Sequence, residues 1–256
     1  MHPNIVTAMR STGLLAVPWL PIIPPLIPPI RDALKTFAVF VQNFQKRPLK
    51  GFKKGKTYVV CSSLYPMTYK KRGKSIVVPV VKRMNRKPTA ISPPSPLTGV
   101  MDAIALAQIG GWLADQKIDF GLRIDETISD EEKKENLILL GSPTSNTLTE
   151  DVTDGIPANK FAFTKSYTLQ AEGVNYDGGD YGVAIRVANP FNRNRPALSL
   201  AGVGPIGTAA AADFCIRKFE TASKDVRSSN CWLVIIRGIL KKGLEIESHI
   251  CYQTPL

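Results

Sequence analysis

The sequence predicts an α/β domain built on a mixed, mostly parallel sheet, with helices on both faces and an antiparallel hairpin insert. Three observations carry this expectation. Short apolar, β-branched runs such as YVVC, NLILL and WLVII alternate with longer stretches of helical character, the pattern of strand–crossover–strand units. Two of those runs lead straight into loops of Gly, Ser and Thr. Two alternating runs, Tyr181–Ala188 and Ala197–Ala201, flank a turn-forming segment rich in Asn, Pro and Arg, as a hairpin requires.

The chain has 256 residues, of which 44% are hydrophobic. That suffices for one large core and argues against a fibrous or wholly disordered protein. The charge is unevenly placed. Residues 1–90 carry seventeen Lys and Arg and a single acid, Asp32, whereas the remainder carries sixteen basic and twenty acidic residues. The net charge of +12 therefore comes from the first third, and the chain divides into a basic arm (1–56) and a nearly neutral domain (57–256). Such an arm suits a polyanion.

Leu14–Ile30 is almost wholly apolar but is broken by six prolines. Each interior proline removes a helix hydrogen bond, so a straight membrane-spanning helix is not expected. A bent hairpin or an extended polyproline-like segment fits better. Ile30, Leu34, Phe37, Val41 and Phe44 then make one helical stripe, followed by Lys46, Arg47, Lys50, Lys53, Lys54 and Lys56. An amphipathic helix with a basic cluster behind it suits an anionic membrane surface, so residues 14–56 are the expected membrane contact. Packing on the domain is the competing expectation. Nucleic acid is a weaker one, because no RNP, zinc-finger or helix-turn-helix pattern accompanies the charge.

Within the domain, Tyr58–Cys61 and Ser75–Val81 read as strands, with YKKRGK between them as a basic loop. Thr98 reads as the N-cap of a helix from Gly99 to about Gln116. Asp119–Asp125 reads as a strand, Asn136–Leu140 as a fully buried one, and Phe161–Ala171 as an alternating run. An alanine-rich helix follows Gly207 and reaches about Glu220. Strands at Trp232–Ile236 and Leu244–Tyr252 close the sheet. Cys61, Cys215, Cys231 and Cys251 fit no zinc spacing and read as buried free thiols, which suits a reducing, cytoplasmic compartment. With His2 and His249 the only histidines, a His-rich metal site is excluded.

The loops carry the functional expectation. Gly202, Gly204 and Gly207 form a GxGxxG between a strand and a helix, with Thr208 following. Glycines in that setting admit a phosphate to backbone N–H groups at a helix N-terminus. A purely structural turn explains them as well, and Pro205 deletes one N–H from any cradle. No acid follows the next strand to hold a ribose, so a dinucleotide fold of the usual order is not expected. Gly141, Ser142 and Asn146 follow the buried strand, and Asn146 doubles as a helix cap. Ser62 and Ser63, and Thr98 with Gly99, occupy analogous positions. If the sheet is parallel at its centre, all four loops emerge at one edge, where open α/β sheets bind ligands. Asp102, one turn into its helix, is the candidate catalytic acid/base or ribose partner. An exposed helical acid near the positive end of the dipole explains it equally. No GxSxG, Walker A or HExxH pattern is present, and Asp177–Asp180 (DGGD) reads as a turn.

The segments NLILLGSPTSN and YGVAIRVANPFNRNRPALSLAGVGPIGTAAAADF resemble a family of prokaryotic Rossmann-like α/β domains. Its pattern is strand–Gly-x-Pro/Phe-x-x-Asn, a tyrosine-led hairpin, and strand–Ala-Gly-x-x-x-x-Gly-Thr–helix. The matching residues are Gly141, Pro143, Asn146, Tyr181, Ala201, Gly202, Gly207 and Thr208, and Thr98-Gly99-x-x-Asp102-Ala103 is similar to its first helix. The resemblance implies a sensor or effector module, often fused to regulatory or membrane segments. Three functions follow as expectations. The first is a domain sensing a nucleotide-like or other anionic small molecule, peripheral on a membrane. The second is a hydrolase or transferase of a nucleotide-like substrate, with Asp102 as acid/base. The third is a scaffold without a small-molecule site.

Overall fold

A computed structural model describes residues 48–61, 64–71, 74–81, 97–164 and 168–256. The proline-rich run, the amphipathic stripe and Ser62, Ser63 and Ser95 lie outside the described residues.

The centre is a seven-stranded sheet. Strands β1 (Thr57–Cys61), β4 (Phe120–Ile124), β5 (Asn136–Leu140), β9 (Tyr181–Asn189), β10 (Asn192–Gly202), β11 (Trp232–Leu240) and β12 (Ile246–Pro255) lie in the order β12-β11-β9-β10-β5-β1-β4. The fold is α/β and the sheet is mixed. Strands β10, β5, β1 and β4 run parallel, whereas β9, β11 and β12 pair antiparallel. Parallel pairings are thus half of the six rather than most. The hairpin read as an insert is the sheet's middle: β10 pairs with β9 on one side and with β5 on the other. The run 161–171 divides into β6 (Phe161–Phe163) and β7 (Leu169–Ala171), which join β8 (Val174–Tyr176) in a separate three-stranded sheet. The stretch read as a basic loop, Tyr69–Lys74, takes in the last three residues of β2 (Leu64–Lys71), which pairs with β3 (Lys74–Val81) in a ribbon of its own.

Alternation along the strands sorts the core into two clusters, because successive side chains point to opposite faces. Val59, Ile138, Leu140, Leu198, Leu200 and Val234 join residues of α1 (Leu97–Asp115), among them Met101, Ile109 and Leu113. Ala209–Ala212 of α4 (Pro205–Asp213) belong to the same cluster. Tyr58, Val60, Leu137, Leu139, Ile185 and Leu233 join Leu148 and Val152 of α3 (Thr147–Asp154), together with Phe161 and Leu169 of the small sheet. A short α2 (Asp130–Lys133) opens on a capping box between Ser129 and Glu132, which satisfies two N–H groups that the first turn leaves free. The alanine-rich helix ends at Asp213. A π-helical turn (Phe214–Lys218) and a 3-10 turn (Phe219–Thr221) continue it, and α5 (Lys224–Ser228) follows. Buried Asp213 anchors this junction, accepting from Arg217 and from Ser248 of β12 at 2.6 Å.

The core reaches back across the boundary expected at Thr57. Leu49 and Phe52 are 3% and 0% exposed, so the end of the basic arm belongs to the packed domain. Polar side chains hold it there. Asn136, fully buried, donates to the carbonyls of Phe52 and Lys54 at 3.0 and 3.1 Å. Arg186, on β9 and 6% exposed, donates to the carbonyls of Pro48, Lys50 and Asn230. Burial pushes its pKa below the usual arginine value, yet arginine remains charged in proteins. Three carbonyl dipoles therefore replace the water of a buried cation. Arg186→Met would leave those carbonyls without their donor. Charge-assisted bonds are individually strong, but relief of the buried charge offsets part of the loss. A net destabilisation of about 2 kcal/mol is expected in urea melts, with Lys50–Lys56 becoming more susceptible to limited proteolysis.

Among the cysteines, Cys215 is buried, Cys61 and Cys231 are partly exposed, and Cys251 is exposed; all four are free. The expectation of four buried thiols therefore holds only for Cys215. Cys251, on the edge strand β12, reaches solvent.

Candidate functional site

The site is built by strands that end in step. Cys61 on β1 is level with Ile124 on β4 and Leu140 on β5, and Leu140 is level with Leu200 on β10. The chain leaves each of these four strands at the same edge of the sheet, as expected for an open parallel segment.

After β5 the backbone turns at Gly141, whose φ of 109° is left-handed and open to glycine at little cost. Gly141 is pinned on both sides: its N–H donates to Leu200 and its carbonyl accepts from the Thr149 hydroxyl at 3.0 Å. The N–H groups of Ser145 and Asn146 both return to the Ser142 carbonyl. This tight turn gathers three hydroxyls. Ser142 Oγ lies 2.6 Å from Thr144 Oγ1 and 3.5 Å from Ser145 Oγ. All three residues are partly exposed.

Asn146 is fully buried and takes the capping role. Its Oδ1 accepts from Leu148 N at 3.1 Å, and its Nδ2 donates to the carbonyls of Val60 and Leu140, each at 3.1 Å. Both amide N–H groups are thereby committed to fastening the N-terminus of α3 onto β1 and β5. Asn146 shapes the loop and has no donor left for a ligand.

Asp125, directly after β4, accepts from Thr147 N at 3.2 Å, and its own N–H donates to the Cys61 carbonyl. Asp102 lies one turn into α1. Burial pushes its carboxyl from 3.8 up to about 6. No hydrogen-bond donor or cation meets it among the described residues. Asp102 and Asp125 both act on Cys61. Burial first, then these two neighbouring charges, push its thiol up to about 11. Cys61 is therefore a neutral thiol at physiological pH and a poor nucleophile.

The glycine-rich loop has a different meaning from the one its spacing suggests. A Cβ on Gly204 would sit 2.7 Å from the Gly179 carbonyl oxygen, and one on Gly202 would sit 2.7 Å from the Gly207 carbonyl carbon. A Cβ on Gly207 would sit 2.5 Å from the Tyr181 carbonyl carbon and 3.0 Å from Gly182 N. Gly207 thus admits the backbone at the start of β9, Gly204 admits the turn at Gly179, and Gly202 admits the backbone of its own loop. Helix α4 opens at Gly204 with no side-chain cap and with Pro205 in its first turn, and Thr208 is buried just beyond. Asp180 of the DGGD turn pairs with Arg237 at 2.7 Å, so that turn is structural.

The edge thus gathers Asp102, the loop from Gly141 to Asn146, and Gly202–Thr208. Thr98 and Gly99 lie in the first turn of α1, which begins at Leu97. Reading the sequence missed Asp125, whereas Thr144 and Ser145 belong to the hydroxyl-bearing loop that it singled out after the buried strand. An acid on the first position after a strand was the one available signal for Asp125. No group of three or more His, Cys, Asp and Glu side chains that could hold a metal ion occurs among the described residues. No protein-family model and no curated protein sequence matches the chain.

Proposed function

We propose that the chain is a ligand-binding regulatory domain that takes a nucleotide-like or other anionic small molecule at this edge. In this reading helices cover both faces of the sheet, as in the Rossmann-like sensor and effector domains that the sequence resembles, and the basic first third holds the domain peripherally on the cytoplasmic face of a membrane. No helix among the described residues is long and apolar enough to cross one.

The observation that carries the reading is a partly buried carboxylate, without a partner among the described residues, near the end of β1 at the level edge of four parallel strands, where a loop of three hydroxyls also follows β5. An acid in that setting accepts from a ligand's hydroxyl or amine, and the loop hydroxyls donate to an anionic group. The glycines of the second loop are accounted for by close approach of backbone to backbone.

The test is thermal denaturation of the full chain against nucleotides, nucleosides and inorganic phosphate. A ligand at a hundred times its Kd stabilises by about 2.7 kcal/mol, a shift of several degrees. That shift should vanish in Ser142→Ala/Thr144→Val, whose melting without ligand should stay close to the parent's. If no compound moves the transition, the reading fails.

One observation favours the hydrolase or transferase alternative: a carboxyl titrating at about 6 is suited to donate and accept protons near neutrality. Turnover of nucleoside-type substrates that disappears in Asp102→Asn, with binding retained, would establish it. An inactive parent protein would rule it out.

A further inference from the structure

Between β1 and α1 the chain leaves the main sheet, and within that excursion β2 and β3 pair, among the described residues, with each other alone. Cross-strand partners share a face of the ribbon and successive pairs alternate. One face takes the pairs Tyr65–Val80, Met67–Val78 and Tyr69–Ile76, and its row ends at the turn on Lys71–Lys74. The ribbon is therefore apolar along its length and cationic at its tip. From Ser62 to Pro96 the sequence carries eight Lys and Arg and no acid.

A two-stranded ribbon is marginal in water by itself, so three consecutive apolar pairs need a cover. We propose that the ribbon is a membrane-contact element that lays this apolar row on an anionic phospholipid surface. Tyrosine is favoured at the headgroup level, and lysine beside it is drawn to anionic lipid. Nucleic acid fits less well. A ribbon that reads a groove needs hydrogen-bonding side chains along its face, and here the cations gather at the turn. The inference rests on the membrane attachment proposed above and is independent of the ligand site, so Asp102→Asn should bind vesicles as the parent does.

The test is co-sedimentation of the full chain with vesicles of phosphatidylcholine alone or with about a third phosphatidylserine. The chain should bind the anionic vesicles, release at high salt, and ignore the zwitterionic ones. Replacing Lys70, Lys71 and Lys74 together by Glu should weaken binding by about a hundredfold or more, the product of three such contributions. If that variant melts early, single, double and triple Lys→Gln variants take its place, with about a fivefold loss expected per lysine. Tyr65→Ser/Tyr69→Ser should weaken binding with every charge intact. Failure of the parent to bind anionic vesicles would overturn the proposal. So would a flat lysine series, which would place the contact in the arm before Pro48, or retention on duplex DNA in place of vesicles.

Discussion

Asp102→Asn is expected to stabilise the protein at about pH 8 by on the order of 2 kcal/mol, and to do nothing at about pH 2. The folded carboxyl titrates at about 6 against an ordinary 3.8, because burial penalises its charge. Below both values the group is protonated whether the chain is folded or not, and it costs nothing. As pH rises between them, the unfolded chain ionises while the folded one keeps its proton, so stability falls. Above about 6 the folded state holds a partly buried carboxylate without a partner among the described residues, and the penalty is complete. Asparagine has nearly the same shape and no charge, so the substitution removes the penalty only where it exists. The full conversion is somewhat larger, near 3 kcal/mol, but solvent reaches part of the group. Urea melts of both proteins across this range provide the measurement. A difference independent of pH, or an Asn variant less stable at pH 8, would refute the assignment. A fold that keeps an acid at this cost is consistent with a use for it, since functional sites commonly hold strain that stability alone would remove.

The strands most legible in the sequence were those whose composition admits no other state. Asn136–Leu140 is fully buried, as its run of apolar residues required. The Tyr181–Gly202 hairpin formed around a two-residue turn at Pro190 and Phe191, tighter than its Asn- and Arg-rich flanks suggested. The convergence of loops at one edge followed from parallel pairing, and β1, β5 and β10 have it. What could not be read were relations set by tertiary contact. Lys70 and Lys71 made β2 look like a loop, because charge masks a strand whose partner begins three residues later. The Lys-rich residues before Thr57 gave no sign that Phe52 is core. Its place depends on Asn136 and Arg186, 84 and 134 positions away along the chain. Asp102 was legible as a candidate, but its shifted titration was not, since that depends on what packs around α1.

The glycines illustrate the same limit and give the largest expected loss of stability. Gly207→Ala should destabilise by about 3 kcal/mol or more, beyond the usual cost of an overpacked methyl. The added carbon meets the backbone of Tyr181 and Gly182, which are locked in the sheet between β10 and β11, so no side chain can swing aside. Any ligand response lost in such a variant would report unfolding rather than a damaged phosphate cradle. Gly111→Ala is the matched control. Gly111 lies within α1, and nothing stands within 4 Å of its missing Cβ. There the substitution should stabilise by about 0.5–1 kcal/mol through helix propensity. The two melts together separate the explanations of the motif. Opposite signs would mean that close approach of backbone to backbone dictates glycine between β10 and α4. A well-folded Gly207→Ala with unaltered melting would instead mean that the loop has room to spare, and would favour the phosphate reading over the structural turn.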